Sequence, residues 1–273
     1  MTRAEKIVKY CAIAFAVILI IGIVSALLQA VSFGRVLFGE DDGEVGEMKD
    51  HEISGDIRNL KISLAAAELE IRTGEALSLQ SNYEKMTVKC ENGHLTVEDK
   101  RRAPNFGNNE KVTVILTVPE GFAFDRVSIE AGAGNVKISD LHSGRFCMEL
   151  GAGNVEITAL NVTEQTEIHG GTGKLLLTGA ALRDLDMELG VGDVTMEAAL
   201  LGECEIECGI GELDIALIGE PSDYRIEVEK ALGEATVNGE SISGDRTVGD
   251  GKNSLEIHGG IGSISITVAQ DSE

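Results

Sequence analysis

From residue 127 onward, apolar and polar side chains alternate in short runs, and most runs are interrupted by two glycines one residue apart. In FCMELGAGNVEI, Phe146, Met148 and Leu150 share one parity, and Val155 and Ile157 resume the alternation beyond the break. A period of two is the mark of a strand with one buried face. The unit recurs as VSIEAGAGNVKI from Val127, TEIHGGTGKLLL from Thr166, LDMELGVGDVTM from Leu185 and CEIECGIGELDI from Cys204. RIEVEKALGEATV from Arg225 and LEIHGGIGSISI from Leu255 complete the series. The second glycines, Gly134, Gly153, Gly173, Gly192, Gly211, Gly233 and Gly262, follow one another at steps of 19, 20, 19, 19, 22 and 29 residues. Their partners are Gly132, Gly151, Gly171, Gly190, Gly209 and Gly260, and only the Gly233 unit lacks one. A degenerate copy, LKISLAAAELEI, starts at Leu60 with Ala65 and Ala67 at the glycine positions.

A strand, a glycine corner, a second strand and a return fit in about twenty residues, and no such unit can bury its apolar face alone. The expected fold is therefore all-β: a parallel, β-helix-like β-solenoid of about 20-residue coils, with the glycines as structural turns that let coils approach closely. An antiparallel sandwich also has short strands at this spacing. Its hairpins favour Asn-Gly turns, whereas here the glycines precede Asn or Asp. The repeats span 127–268, with a tail at 269–273. Residues 51–126 read as a less regular N-terminal β part with a tight turn at Glu91-Asn92-Gly93.

The N-terminal pattern is different. CAIAFAVILIIGIVSALL, Cys11 to Leu28, carries no charge and is long enough to cross a bilayer as a helix. No Ala-x-Ala site closes it and no lipobox cysteine follows it, which predicts an uncleaved single-pass anchor over 10–31 rather than a removed signal peptide. Arg3, Lys6 and Lys9 precede it, and Glu40, Asp41, Asp42 and Glu44 follow soon after. The positive-inside rule then puts residues 1–9 in the cytoplasm and the remainder outside the cell membrane, beginning with an acidic linker at 32–50.

Charge narrows the choice of partner. The formal net charge is −23, and of 46 acidic residues only Glu5 precedes residue 36. Such a domain does not neutralise phosphates, so nucleic acid is excluded, and it repels anionic head groups. Cations, basic proteins and uncharged glycans remain. The basic run Lys100-Arg101-Arg102 reads as a solvated loop. Outside the apolar segment the cysteines are Cys90, Cys147, Cys204 and Cys208, without zinc spacing or a plausible disulfide framework, and they read as small hydrophobes.

Aligning the repeats sets Glu130, Glu149, His169, Glu188, Glu207, Glu229 and His258 in one outward column just before the corner. This is the candidate ligand or cation surface, against the plainer reading of a solvated acidic face. The column after the corner reads Asn135, Asn154, Lys174, Asp193, Glu212, Glu234, Ser263. Calcium rolls need an aspartate at fixed positions in nine-residue turns, and neither that period nor that constancy is present. Calcium thus enters only as a counter-ion for the glutamate column. No metal site, cofactor or catalytic constellation is expected: there is no Trp for sugar stacking, no concentration of Arg or Lys beside the acidic column, and no helix after the glycines to cradle a nucleotide.

NGHLTVEDK, KVTVILTVPEGFAFDRVSIEAGAGNVKI and the G-x-G-[ND]-V-x-[IM] units at 132–138, 151–157 and 190–196 resemble the bacterial putative-adhesin family of β-strand-repeat proteins. The resemblance covers roughly residues 50–268. It implies a stacked-sheet exterior, an N-terminal anchor, a surface or cell-envelope role, and no catalytic residues. The expectation is a non-enzymatic adhesin or envelope-binding module whose partner is an envelope polymer or protein. The alternative is an envelope-stress sensor acting through partner membrane proteins, since a cytoplasmic tail of nine residues has no room for an output of its own.

Overall fold

The alternation sets a single rule for each coil: apolar side chains turn inward until a corner resets the parity. In the coil beginning at Phe146, Met148 and Leu150 point in, then Val155 and Ile157 after the glycine corner, then Leu160 and Val162 after a second bend. That second bend is a left-handed residue, Ala159 at φ 58°, matched by Asp140 at φ 52° and Gly179 at φ 62° in the adjoining coils. Each coil therefore has three inward-facing runs.

The structure, a computed structural model, describes residues 44–99, 111–242 and 246–269. In chain order the strands are β1 (Val45–His51), β2 (Asn59–Ala66), β3 (Glu68–Gly74), β4 (Ser78–Tyr83), β5 (Thr87–Glu91), β6 (His94–Glu98) and β7 (Thr113–Pro119). Then follow β8 (Ala123–Arg183), which winds through three coils without a break, β9 (Leu185–Leu201), β10 (Glu203–Ile218), β11 (Tyr224–Leu232), β12 (Ala235–Val237), β13 (Glu240–Ser241), β14 (Arg246–Val248) and β15 (Asn253–Ala269). The coil-to-coil pairings are parallel and in register, as where Ile206 of β10 faces Met187 of β9 and Ile257 of β15. Like residues therefore stack on like. Ile62, Ile129, Met148, Ile168, Met187, Ile206, Ile257 and Val228 form one inner column, each at most 2% exposed. Burying each such side chain is worth about 1.5–3 kcal/mol.

The expected parallel solenoid is present, and it begins earlier than the repeat pattern indicates. β2 and β3 form a full coil against β8, and β6 and β7 form another against β2 and β3. Asn92 and Gly93, at φ 51° and 78°, make the tight β5–β6 hairpin turn expected at Glu91-Asn92-Gly93. Residues 45–50, assigned above to the linker, belong to β1, which pairs antiparallel with β4. β4 in turn closes antiparallel on β7.

Stacking order departs from chain order at both ends. β2–β3 lies between β6–β7 and β8, although β6–β7 comes later in the chain. At the other end β15 lies between β10 and the coil made by β11 and β12. The irregular 22- and 29-residue steps are the trace of this crossing, and β13 and β14 pair antiparallel on the outermost coil.

Among the described residues no helix is long and apolar enough to cross a membrane. The predicted anchor at 10–31, the tail at 1–9 and the basic run at 100–102 lie outside the described residues.

The glycines are required by contact with the coil beneath. A Cβ on Gly209 would overlap the carbonyl oxygen of Gly190, and one on Gly192 would overlap that of Gly173. Gly192 also sits at φ 155°, in the region that L side chains rarely adopt. Each clash points toward the preceding coil in the stack, so the lowest glycine pair, Gly132 and Gly134, bears on the carbonyls of Ala65 and Ala67. A residue that only offers its carbonyl can be alanine.

Gly192→Ala is expected to cost at least about 3 kcal/mol, from overpacking plus an unfavourable backbone region. Gly46→Ala, where nothing lies within 4 Å of the added carbon, is expected to be neutral. Urea unfolding of the two variants beside the parent checks both.

Candidate functional site

The side of each coil that precedes the glycine corner turns its polar residues outward, and the in-register stacking turns each polar position into a column. The predicted column is present with one change of order. Ser63 faces Glu130, and after Glu149 the pairs His169–Glu188, Glu188–Glu207, Glu207–His258 and His258–Glu229 follow in register. His258 thus lies between Glu207 and Glu229, where chain order had placed it last.

Two residues upstream runs a second column that the sequence reading missed: Glu167, Asp186, Glu205, Glu256 and Glu227. These carboxylates occupy successive coils without interruption. At the usual strand spacing of about 4.8 Å, neighbours repel by about 0.9 kcal/mol in water. The signal was available in TEIHGG, LDMELG, CEIECG, LEIHGG and RIEVEK, where an acid stands two places before the aligned glutamate or histidine.

Two histidines and a lysine sit at intervals in this field. The His258 ring lies 3.1 Å from Glu256, 3.5 Å from Glu205 and 3.6 Å from Glu229. His169 lies 3.9 Å from Glu188. Near the N-terminal end of the stack, Lys61 Nζ is 3.0 Å from Glu130, and Ser63 Oγ donates a hydrogen bond to the same carboxylate at 3.1 Å. The Lys61 contact holds the Glu130 carboxyl below its ordinary value, against a smaller opposing effect of burial. Glu68 is lowered in the same way, first by the hydrogen bond from Lys111 and more weakly by that from Asn135.

The column after the corner holds Asn135, Asn154, Lys174, Asp193, Glu212, Ser263 and Glu234 in stacking order, with Lys174 3.0 Å from Asp193. Asn154 donates to Asn135 and Asn135 to Glu68, a short polar chain up the ladder. Among the described residues, no group of three or more His, Cys, Asp or Glu has the arrangement to hold a metal ion. Cys204 and Cys208 point into the core and burial pushes both thiols up, whereas Cys90 and Cys147 are half-buried. A groove of about 650 Å³ opens where β8 begins, bordered by Asn59, Arg126, His142, Arg145, Asn161 and Thr163. Two of its basic side chains have acidic partners, His142 with Asp140 at 3.2 Å and Arg145 with Glu164 at 2.8 Å.

The family description Toastrack DUF4097 matches residues 57–268, which takes in the coil stack from its first parallel strand to its last. The chain belongs to the Toastrack DUF4097 family. No curated protein sequence matches it significantly. Solved structures similar to this Toastrack chain include a putative adhesin from Bacteroides fragilis, 14% identical over 82% of this chain and 96% of that one, with a TM-score of 0.43. A putative cell adhesion protein from Clostridium sporogenes is 15% identical over 82% of this chain and all of the other, with a TM-score of 0.31. A putative lipid binding protein from Parabacteroides distasonis is 14% identical over 84% and 98%, with a TM-score of 0.26. What the Toastrack architecture supplies to the candidate site is register: thirteen corner glycines, Gly132 through Gly262, hold the acidic positions in line.

Two outcomes follow. Raising NaCl from low to about 0.5 M screens the stacked carboxylates and is expected to raise the thermal midpoint. Glu130→Gln removes a carboxylate whose folded value is depressed, so its contribution is present above the ordinary 4.5 and disappears as pH falls through the lower folded value. Because the pair is largely exposed, the loss is about a few tenths of a kcal/mol at pH 7 and fades as pH falls below the ordinary carboxylate range. Thermal melts across pH check it.

Proposed function

We propose that this chain is a non-enzymatic binding module of the bacterial cell envelope, held at the membrane by the segment 10–31 with its N-terminus in the cytoplasm and its solenoid outside. The observation that carries this reading is the pair of carboxylate columns, Glu130 to Glu229 and Glu167 to Glu227, aligned on one side of a continuous parallel sheet. They stand on the outer surface of the coils instead of converging on a cleft. Catalysis needs a few groups held around one reacting atom, whereas a periodic wall offers area and repeated contacts. A binding surface of this kind gains from many weak contacts made at once.

The ligand chemistry that fits is cationic or rich in hydroxyl donors: amino-bearing envelope polymers, basic proteins, or glycans that donate hydrogen bonds to carboxylates. The wall's own charge disfavours polyphosphate and nucleic acid. Calcium belongs here as a screening counter-ion that lets a weakly anionic polymer approach, and it needs no dedicated site.

Full-length protein in neutral-lipid nanodiscs is expected to retain isolated cell-wall material above the level of empty discs. Retention should weaken in a variant carrying Glu167→Gln, Asp186→Asn and Glu205→Gln and should fall with salt. Retention at background, or an unchanged value in the triple variant, would sink the proposal.

A further inference from the structure

The residue just before the second corner glycine changes character along the stack. In stacking order it is Ala133, Ala152, Thr172, Val191, Ile210, Ile261 and Leu232, with Thr172 facing Val191, Val191 facing Ile210, Ile210 facing Ile261, and Ile261 facing Leu232. Chain order would have set Leu232 before Ile261. The crossing of β15 over β11 instead makes the last four a continuous apolar ridge. Ile261 is 45% exposed and Leu232 56% exposed, and Val191 and Ile210 are half-buried.

Nothing in corner geometry requires these side chains to be large. The neighbouring coils carry alanine or threonine at the same position, and the corner forms there as well. On either side of the ridge stand Gly190 and Gly192, Gly209 and Gly211, Gly260 and Gly262, so the apolar side chains rise from bare backbone. Beside Ile261 and Leu232 the surface dips into a shallow apolar notch floored by Cys208, Leu213 and Ile264. Exposed aliphatic side chains in a contiguous row mark an interaction surface more often than solitary ones do.

The flanks choose the partner. Three residues before the ridge stand Glu188, Glu207, His258 and Glu229, and two residues after it stand Asp193, Glu212, Ser263 and Glu234. An apolar row between two acidic rows rejects a second copy of itself, because pairing ridge to ridge sets carboxylate against carboxylate. It also rejects an anionic lipid surface. We propose that the ridge Val191–Ile210–Ile261–Leu232 docks a partner protein through an apolar segment bordered by Lys and Arg. This rests on the binding-module reading, and it names a second, protein-directed surface at the corner, apart from the wall of carboxylates.

The test uses full-length protein in neutral-lipid nanodiscs and a fluorescent amphipathic peptide of Leu and Lys, with a Leu and Glu peptide of the same pattern as control and binding to empty discs subtracted. Fluorescence anisotropy should show the Leu–Lys peptide binding, with affinity reduced about tenfold or more when Ile261→Ser and Leu232→Ser remove two exposed apolar contacts. Glu212→Gln with Glu234→Gln should weaken binding and flatten its salt dependence. Thermal melts should show unchanged midpoints for the exposed serine substitutions, so that a loss of binding is not a loss of fold. No peptide binding, equal binding by the serine variant, equal binding of the Leu–Glu peptide, or self-association that the serine substitutions abolish would each overturn the proposal. The wall-material experiment alters Glu167, Asp186 and Glu205 and leaves the ridge untouched, so either reading can fail alone.

Discussion

The stack depends on backbone meeting backbone at the glycine corner. There the carbonyl oxygen of one coil occupies the place that a β-carbon of the next would need. With that contact made, neighbouring coils pair in register, and register in turn stacks isoleucine on methionine in the core and acid on acid outside. A side chain at the corner would lift one coil from the next and misalign every column at once. The interior then gains from well-matched aliphatic layers, while the exterior accepts the repulsion that the same alignment imposes.

That repulsion is moderated locally. His258 is surrounded by Glu205, Glu229 and Glu256, His169 faces Glu188, and Lys61 holds Glu130. Between these points the carboxylates of Glu167, Asp186 and Glu205 follow one another without an intervening cation in their column. Stability and binding surface therefore draw on the same positions: the groups that strain the ladder are the ones available to a ligand.

Much of the architecture was legible in the sequence because a solenoid writes its geometry locally. Parity in FCMELGAGNVEI gives the inward face, and the glycine interval gives the coil length. Aligning the repeats shows which polar positions share a column but not their stacking order, since nothing in the residues around Gly233 and Gly262 announces that the later coil fits in front of the earlier one. Stacking order is a property of the crossing chain, from Asn238 to Lys252, and not of any repeat. The second acidic column was readable but masked by the attention that glycines draw to their nearest neighbours. The corner residues Val191, Ile210, Ile261 and Leu232 carry no signal one unit at a time, because each is only the variable letter before the second corner position.

The inserted position of β15 also sets a timetable. As the chain emerges from the ribosome, the coil at 224–237 appears while its neighbour in the stack is still unmade. The surface of β10 that β15 will cover stands open until residues 253–269 arrive. During that interval the aliphatic edge of a growing ladder is exposed to every other strand in its vicinity, and β11 must be held aside without pairing directly onto β10.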